Sequence, residues 1–403
     1  MNLKQTLALF LLIGIMTNTV LCFAQSSKLN LQQNNNPMEI GVSALFVAGG
    51  ASKGNSTIAN LQRGGHDPSK IGFTLQNLEL TLGGAVDPFF DAQTNIIMLL
   101  NDQGEAILEI EEAYLLTKQL PGGLQIKAGQ FYTEFGRQNR LHPHTWSFVD
   151  QPIVLNRLLG GDGLRSQGAQ ISWLARLPWY AELFFGVQNT KGATGNSFLS
   201  AEHSHGHEEA TETSDEYLID GAEDFLYSAR WLNGLDFSDN ISANLGFSGL
   251  WGPNANGVGT EKDLRTAIYG TDLYLKWQAS NSSRGFPFVS WHTEYLFRTY
   301  EEIEEDIFTR KDSGWFSQFS YGFKPGWITG LRLEMADSNE EAENLIGADE
   351  RFRTALNLTW LPTEFSKIRL QYNYDDSNYV GEGVHLIWLQ FEYNLGSHAA
   401  HVF

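Results

Sequence analysis

The sequence predicts an all-β fold, a 16-stranded antiparallel transmembrane β-barrel with an inward-folded third extracellular loop. Sixteen segments of roughly ten residues alternate apolar and polar side chains, which is typical of strands with one apolar and one wet face. Their connections alternate between tight, turn-rich links and longer loops, a second feature of outer-membrane barrels. The segments are 38–48, 70–85, 93–101, 106–117, 123–132, 168–177, 179–189, 224–234, 240–251, 265–278, 286–300, 314–323, 327–336, 351–361, 365–375 and 385–395.

The N-terminus predicts export from the cytoplasm. Lys4 precedes an apolar run from Thr6 to Met16, and small residues occupy the −3 and −1 positions of a cleavage point after Ala24. We therefore expect a signal peptide at 1–24, a short polar periplasmic leader at 25–37 and a transmembrane barrel at 38–403. The only cysteine is Cys22. After cleavage the chain would hold no disulfide, thiol nucleophile or thiolate metal site.

The charge balance argues against one class of partner. The 403 residues include 47 acidic and 27 basic side chains, a formal net charge of −20. Nucleic-acid binding needs clustered lysine and arginine, so we expect no nucleic-acid partner. We also expect no enzymatic activity, since no motif marks a nucleophile placed beside a histidine. A soluble sandwich or propeller also has alternating strands, but alternating connection lengths are not expected in those folds.

The segment 286–300 illustrates the predicted strand pattern. Val289, Trp291 and Tyr295 fall on one face, and Glu294 and Arg298 fall on the other. A barrel of about sixteen strands is too wide for side chains to fill, so the polar face would line water. Lumen-wall charges are expected at Glu294, Arg298, Arg332, Glu334, Arg353, Arg369 and Glu392. They form either a neutralising ladder or a selectivity filter.

The longest connection, 133–167, differs from the other loops in composition. It is rich in leucine, valine, phenylalanine and tryptophan, which would be unfavourable in water. We therefore expect it to fold into the barrel and form a locally basic pore constriction. The residues predicted there are Arg137, Arg140, His142, His144, Arg157 and Arg165.

A family resemblance appears at this loop. The stretch Lys127-Ala128-Gly129-Gln130-Phe131, running into Glu134-Phe135-Gly136-Arg137, resembles the general bacterial porins and, more closely, the phosphate-selective porin type. The His142–Trp146 stretch and a histidine-containing tail ending in Phe403 also resemble uncharacterised porin-like proteins described as metal-regulated. The specific motif covers only about 127–152 of this chain.

This resemblance and the barrel pattern imply a channel in the bacterial outer membrane. We expect passive diffusion of small hydrophilic solutes or ions, with cations or transition metals such as zinc as a refinement. The alternatives are an anion-selective, phosphate-type porin and a non-transport adhesin or structural protein. Expected partners are outer-membrane lipid, the barrel-assembly machinery through the C-terminal strand and Phe403, and two further copies in a homotrimer.

One further loop predicts metal capture. His203, His205 and His207 alternate along a stretch in which residues 202–224 include nine acidic side chains and no basic one. Three imidazoles at this spacing can reach one Zn²⁺ or another divalent cation. We expect weak, exchangeable binding and no required cofactor. The alternative is a solvated acidic loop without a ligand.

Overall fold

The computed structural model describes residues 38–100, 104–190, 194–199, 219, 221–257, 263–303, 306–338 and 350–396. The predicted signal peptide and leader lie outside these residues. The strands are β1 (Glu39–Ala51), β2 (Gly72–Ala85), β3 (Phe90–Leu100), β4 (Ala106–Thr117), β5 (Leu124–Tyr132), β6 (Arg165–Leu174), β7 (Tyr180–Asn189), β8 (Phe225–Ser238), β9 (Ile241–Pro253), β10 (Arg265–Ser283), β11 (Phe286–Ile303), β12 (Ile307–Lys324), β13 (Trp327–Ser338), β14 (Arg351–Thr363), β15 (Ser366–Ser377) and β16 (Val384–Gly396).

The sheet closes on itself. Every strand pairs antiparallel with its chain neighbours, and β1 pairs with β16 from Gly41↔Gly396 to Ala51↔Leu386. Closure leaves no sheet edge, which is what hydrocarbon requires because it offers no water to unpaired backbone groups. The predicted 16-stranded antiparallel barrel is confirmed, and each predicted segment overlaps one observed strand.

Side chains alternate across the wall as the sequence pattern indicates. In β14, Phe352, Leu356 and Trp360 are exposed on the outer face, whereas Arg353 and Thr359 are buried on the inner face. An apolar outer face beside a polar interior is the pattern of a barrel that spans a membrane.

Aromatic side chains mark two levels of the outer face. Near the long-loop end, the Trp251 indole N–H donates to the Tyr269 hydroxyl at 3.2 Å. Near the short-turn end, Trp327 stacks on Trp360 with ring centroids 5.9 Å apart. Such girdles lie at the two membrane–water interfaces, so the apolar band between them faces lipid.

The described residues contain two short α-helices. They are α1 (Asn55–Leu61), between β1 and β2, and α2 (Ile153–Leu158), between β5 and β6. Ile58 and Leu61 of α1 pack with Trp388 of β16 and with Val149 of the β5–β6 connection. No helix among the described residues has the length and apolar character of a membrane span.

One predicted loop is wrong. The predicted segments 286–300 and 314–323 leave a long connection at 301–313, but β11 continues to Ile303 and β12 begins at Ile307. One acidic residue of this segment is paired across the hairpin, since Glu302 lies 2.7 Å from an Arg310 nitrogen. Opposite charges on facing strands stabilise a hairpin that the acidic composition alone would assign to a loop.

The connection lengths predict the orientation, since short turns face the periplasm and long loops face outward. Cys22 belongs to the predicted signal peptide, so single cysteines give clean labels. A membrane-impermeant maleimide on intact cells should label Glu382→Cys, in the exposed β15–β16 loop, and miss Glu364→Cys, in the exposed β14–β15 turn. Both sites should react after lysis. Equal labelling of the two variants on intact cells would contradict this orientation.

Candidate functional site

The connection between β5 and β6, residues 133–164, packs against the inner wall of the barrel and is called here the constriction loop. Its apolar side chains are buried against wall residues that point inward, and each such burial stabilises by about 1.5–3 kcal/mol. The cluster includes Phe135, Val154, Leu155 and Leu158 from the loop and Leu250, Ile268, Leu296 and Phe316 from the wall. The inner face is therefore apolar where the loop meets it.

Asp150 anchors the constriction loop to three strands, β13, β14 and β15. Its carboxylate accepts hydrogen bonds from Arg332 at 2.6 Å, Gln371 at 2.8 Å and Asn373 at 2.7 Å. Arg353 lies 3.1 Å from the second carboxylate oxygen. Burial alone would raise the pKa of Asp150, but the guanidinium groups of Arg353 and Arg332 hold it well below its ordinary value.

Two wall glutamates hold the loop backbone. Glu294 accepts the Arg137 and Gln138 amide N–H groups at 2.8 and 2.7 Å, and Glu334 accepts the Ile153 amide at 2.8 Å. Glu334 also accepts hydrogen bonds from Arg332 and Arg353, both at 2.7 Å. Charge-assisted bonds of this kind are roughly twice as strong as neutral ones. The loop thus completes the charge network of the wall.

A cavity lies between the constriction loop and the short-turn ends of the strands. Residues that line it include Arg137, His144, Tyr274, His292, Lys367 and Arg369. Among the described lining residues there is no aspartate or glutamate. The cavity therefore presents basic and aromatic groups in a chain whose net charge is strongly negative.

The two arginines of the cavity have neutral partners. Arg369 donates to the Thr359 hydroxyl at 3.0 Å, the Gln390 side chain at 3.1 Å and the Trp146 carbonyl at 2.8 Å. The Arg137 guanidinium lies over the Tyr274 ring, 3.8 Å from its centroid. Within the described part of the chain, neither guanidinium forms a salt bridge with a carboxylate. Their positive charge is therefore not cancelled by a direct ion pair.

The other predicted constriction residues have different positions. Arg140 is half-exposed and lies 3.6 Å from Glu134, while Arg157 is a half-buried residue of α2. Arg165 is the first residue of β6 and pairs with Glu109. His142 lies beside Glu112, with its Nε2 atom 3.1 Å from the carboxylate. Of the six predicted residues, only Arg137 and His144 line the cavity.

All the predicted lumen-wall residues have buried side chains on the inner face. Arg298 pairs with Asp312, and Glu392 pairs with Lys367. Arg332, Arg353 and Glu334 share the network around Asp150. The wall charges other than Arg369 therefore have oppositely charged neighbours, as a neutralising ladder requires. Asp150 of the constriction loop supplies one of the negative charges.

Several residues of the site were missed by sequence reasoning. Lys367 donates to the His144 carbonyl at 2.7 Å, and Tyr274 supports Arg137. Asp150 can be recognised in the sequence, because it is the one carboxylate in the largely apolar stretch Phe148–Ile153. Leu296 can also be recognised, since it is an apolar residue on the polar face of β11. His203, His205, His207 and Phe403 lie outside the described residues.

No family model matches this chain. It resembles two solved outer-membrane structures in fold. The channel DcaP of Acinetobacter baumannii is 13% identical with a TM-score of 0.56, covering 89% of this chain and 97% of that one. An anion-selective porin from Comamonas acidovorans is 8% identical with a TM-score of 0.55, covering 89% and 100%. The fold is therefore that of the outer-membrane porins.

The sequence also has a relative that aligns with most of its length. An uncharacterised protein of Aquifex aeolicus is 31% identical over 365 residues, which span 84% of this chain and 73% of that protein. Identity of this extent over most of both sequences establishes common descent. This porin-fold barrel therefore belongs to the same family as the uncharacterised Aquifex aeolicus protein.

Proposed function

We propose that this chain is an outer-membrane channel for passive diffusion of small hydrophilic solutes and that its constriction favours anions. The observation that carries the proposal is the cavity beside the constriction loop. Arg137 and Arg369 line it without a carboxylate partner, and no described lining residue is acidic. Anion preference is the alternative that the sequence left open, and the cavity favours it over cation preference.

The electric field of Arg137 and Arg369 acts inside the cavity. The electric field of a buried guanidinium without a carboxylate partner is not cancelled. Low-dielectric walls strengthen that field inside a narrow passage. Rings of Arg and Lys side chains are a recognised basis for anion selectivity in pores. The Arg fork also matches carboxylate and phosphate geometry. Small oxyanions are therefore the solute class that this cavity fits best.

Acidic residues on the long-loop side are the feature that favours the cation alternative. Residues 202–224 alone include nine acidic side chains. Charges at a wide mouth are screened over about 8 Å at physiological ionic strength, whereas charges in the constriction act on each passing ion. We therefore assign selectivity to the cavity and local ion concentration to the mouth.

The channel function itself has a direct test. Purified, folded barrel added to a planar lipid bilayer in symmetrical KCl should produce discrete conductance steps. Liposomes that contain the protein should also swell in a small neutral sugar. Heat-denatured protein is the control for both measurements. If correctly folded barrel gives no conductance and no swelling, the channel proposal is wrong and an adhesin or structural role is favoured.

We propose separately that the acidic loop at 202–224 binds a metal ion weakly. Its support is the alternation of His203, His205 and His207 among carboxylates, which suits weak capture of Zn²⁺ at the mouth. Replacing all three histidines with alanine should remove one weak, rapidly exchanging class of Zn²⁺ sites from the purified barrel. Unchanged Zn²⁺ binding in that variant would indicate a solvated acidic loop.

Assembly is also a proposal. The exposed apolar side chains of this barrel are compatible with lipid or with further copies in a homotrimer. Strand β16 closes the barrel, so recognition of the C-terminal strand and Phe403 by the assembly machinery would precede closure. Chemical cross-linking of the native membrane distinguishes a trimer from a monomer.

A further inference from the structure

A second cluster of buried charges lies where the constriction loop meets β2 and β4. Glu79 of β2, Glu111 of β4 and His142 of the loop each direct one oxygen or nitrogen atom to a common point. These three atoms all lie within 4.8 Å of one another. Both glutamates are fully buried, and the cluster is called here the carboxylate–histidine site.

A β-bulge creates this arrangement. Asn95 pairs with Glu112 and Ile96 pairs with Ile110, so Glu111 is an extra residue in β4 without a partner in β3. Alternation would turn one of two consecutive glutamates toward lipid, but Glu111 and Glu112 are both buried. Bulges recur near functional sites because they redirect a side chain. Here the bulge keeps a second carboxylate inside the barrel.

The interatomic distances suit a metal ion. His142 Nδ1 lies 2.7 Å from Glu111 Oε2 and 3.4 Å from Glu79 Oε1. A transition-metal ion bound at about 2.0–2.2 Å holds its ligands roughly 3–3.5 Å apart, so small adjustments would admit it. The other ring nitrogen, Nε2, lies 3.1 Å from Glu112 Oε2. A histidine ligand commonly donates its second N–H to a carboxylate in this way.

Unsatisfied buried atoms are an independent sign of a missing ligand. Glu111 Oε2 and His142 Nδ1 form a 2.7 Å ion pair, but their contact lacks hydrogen-bond geometry. His66, from the β1–β2 connection, is almost completely buried and has no hydrogen bond on either ring nitrogen. Its Nε2 atom lies 3.7 Å from Glu111 Oε1. Buried polar groups normally have partners, and a metal ion would supply one for Glu111 Oε2, His142 Nδ1 and one ring nitrogen of His66.

We propose that the carboxylate–histidine site binds one divalent transition-metal ion of the Zn²⁺ type, with Glu79, Glu111 and His142 as ligands and His66 as a fourth. Mixed nitrogen and oxygen donors suit such ions, whereas Ca²⁺ and Mg²⁺ take oxygen ligands. Two carboxylates neutralise the charge of the ion. The bound metal would join the constriction loop to β2, β4 and the β1–β2 connection.

The proposal is independent of transport and of the His203–His207 loop. Zn²⁺ binding is measured on purified barrel in detergent, after chelator treatment, in the His203→Ala/His205→Ala/His207→Ala background. We expect one equivalent of Zn²⁺ to bind. Glu111→Gln should abolish detectable binding, and Glu112→Gln should weaken it about 10–100-fold, the usual cost of losing a partner of a ligand. His385→Gln removes an exposed histidine of β16, outside both the site and the cavity, and should leave the affinity unchanged.

A second measurement keeps the proposal testable if a variant fails to fold. X-ray absorption of the Zn²⁺-loaded triple-alanine protein should give only nitrogen and oxygen ligands at about 2.0–2.2 Å, including one or two imidazoles. Absence of a bound equivalent, or a spectrum without imidazole, would overturn the proposal. Equal affinity in folded Glu111→Gln would also overturn it. Each of these results would identify the site as an ion pair between protonated His142 and its carboxylates.

Discussion

Asp150→Asn is expected to release the constriction loop and raise the open probability of the channel. The substitution removes a negative charge that lies buried between Arg332 and Arg353, while both guanidinium groups remain buried. Loss of one member of a buried ion pair costs about 3–5 kcal/mol. If that cost falls on the closed position of the loop, its opening equilibrium rises roughly a hundredfold or more.

Two measurements follow the loop in this variant. Single-channel recordings should show larger or more frequent open events, and trypsin should cleave the folded barrel faster at Arg140, because proteolysis follows the population of open loop. Glu134→Gln is the matched control, since it removes a loop carboxylate whose partner Arg140 is half-exposed. Such a pair contributes about 0–1 kcal/mol. Identical conductance and cleavage rates in Asp150→Asn and the original would show that Asp150 does not hold the loop.

The same anchor has a defined pH dependence. The pKa of Asp150 is lowered in the folded barrel, so its contribution is present above the ordinary aspartate value near 4 and is lost as the pH falls through the lower folded value. Asp150 therefore remains charged between about pH 7 and pH 5, and it should cause no change in the open probability of the unmodified protein over that range.

Arg137→Gln combined with Arg369→Gln is expected to abolish anion preference. Each guanidinium interacts with an ion about 8 Å away by roughly 2 kcal/mol at an effective dielectric constant near 20, before screening by salt. The two charges together contribute about 4 kcal/mol before screening, and about 1.4 kcal/mol corresponds to a tenfold change, so removing both should lower the chloride-to-potassium permeability ratio at least tenfold even after screening by salt. The measurement is the reversal potential in a KCl gradient.

Arg140→Gln provides the control for this pair. The sequence placed Arg137 and Arg140 together in the constriction, but only Arg137 lines the cavity. Arg140→Gln removes the same charge from the same loop and should change the ratio little. A larger shift from Arg140→Gln than from the double variant would place the permeation path on the other side of the loop.

The strands could be predicted because the period of two is a local property. Each segment records, residue by residue, which side faces lipid, and the pattern at Phe352, Leu356 and Trp360 is visible in the sequence alone. Sixteen such segments with alternating connections leave few topologies other than a closed barrel. The hairpin around Glu302 and Arg310 was missed because pairing between facing strands is not visible in the composition of either one.

The site could be predicted only in outline, since its contacts join distant parts of the chain. Asp150 meets Arg332 and Arg353 about two hundred positions away, at a depth set by the path of the constriction loop. The carboxylate–histidine site depends on a bulge that breaks the alternation on which the strand prediction relies. Lumen charges were therefore predictable as a set, whereas their partners were not.

The reversal potential of the unmodified barrel shows whether the basic cavity or the acidic mouth sets its ion selectivity. Purified protein is inserted into a planar bilayer, and the zero-current potential is recorded across a tenfold KCl gradient at neutral pH. We expect a potential whose sign shows that chloride permeates more readily than potassium, because Arg137 and Arg369 line the cavity without carboxylate partners. A potential of the opposite sign would show that the acidic mouth governs selectivity and would contradict the assignment of selectivity to the cavity.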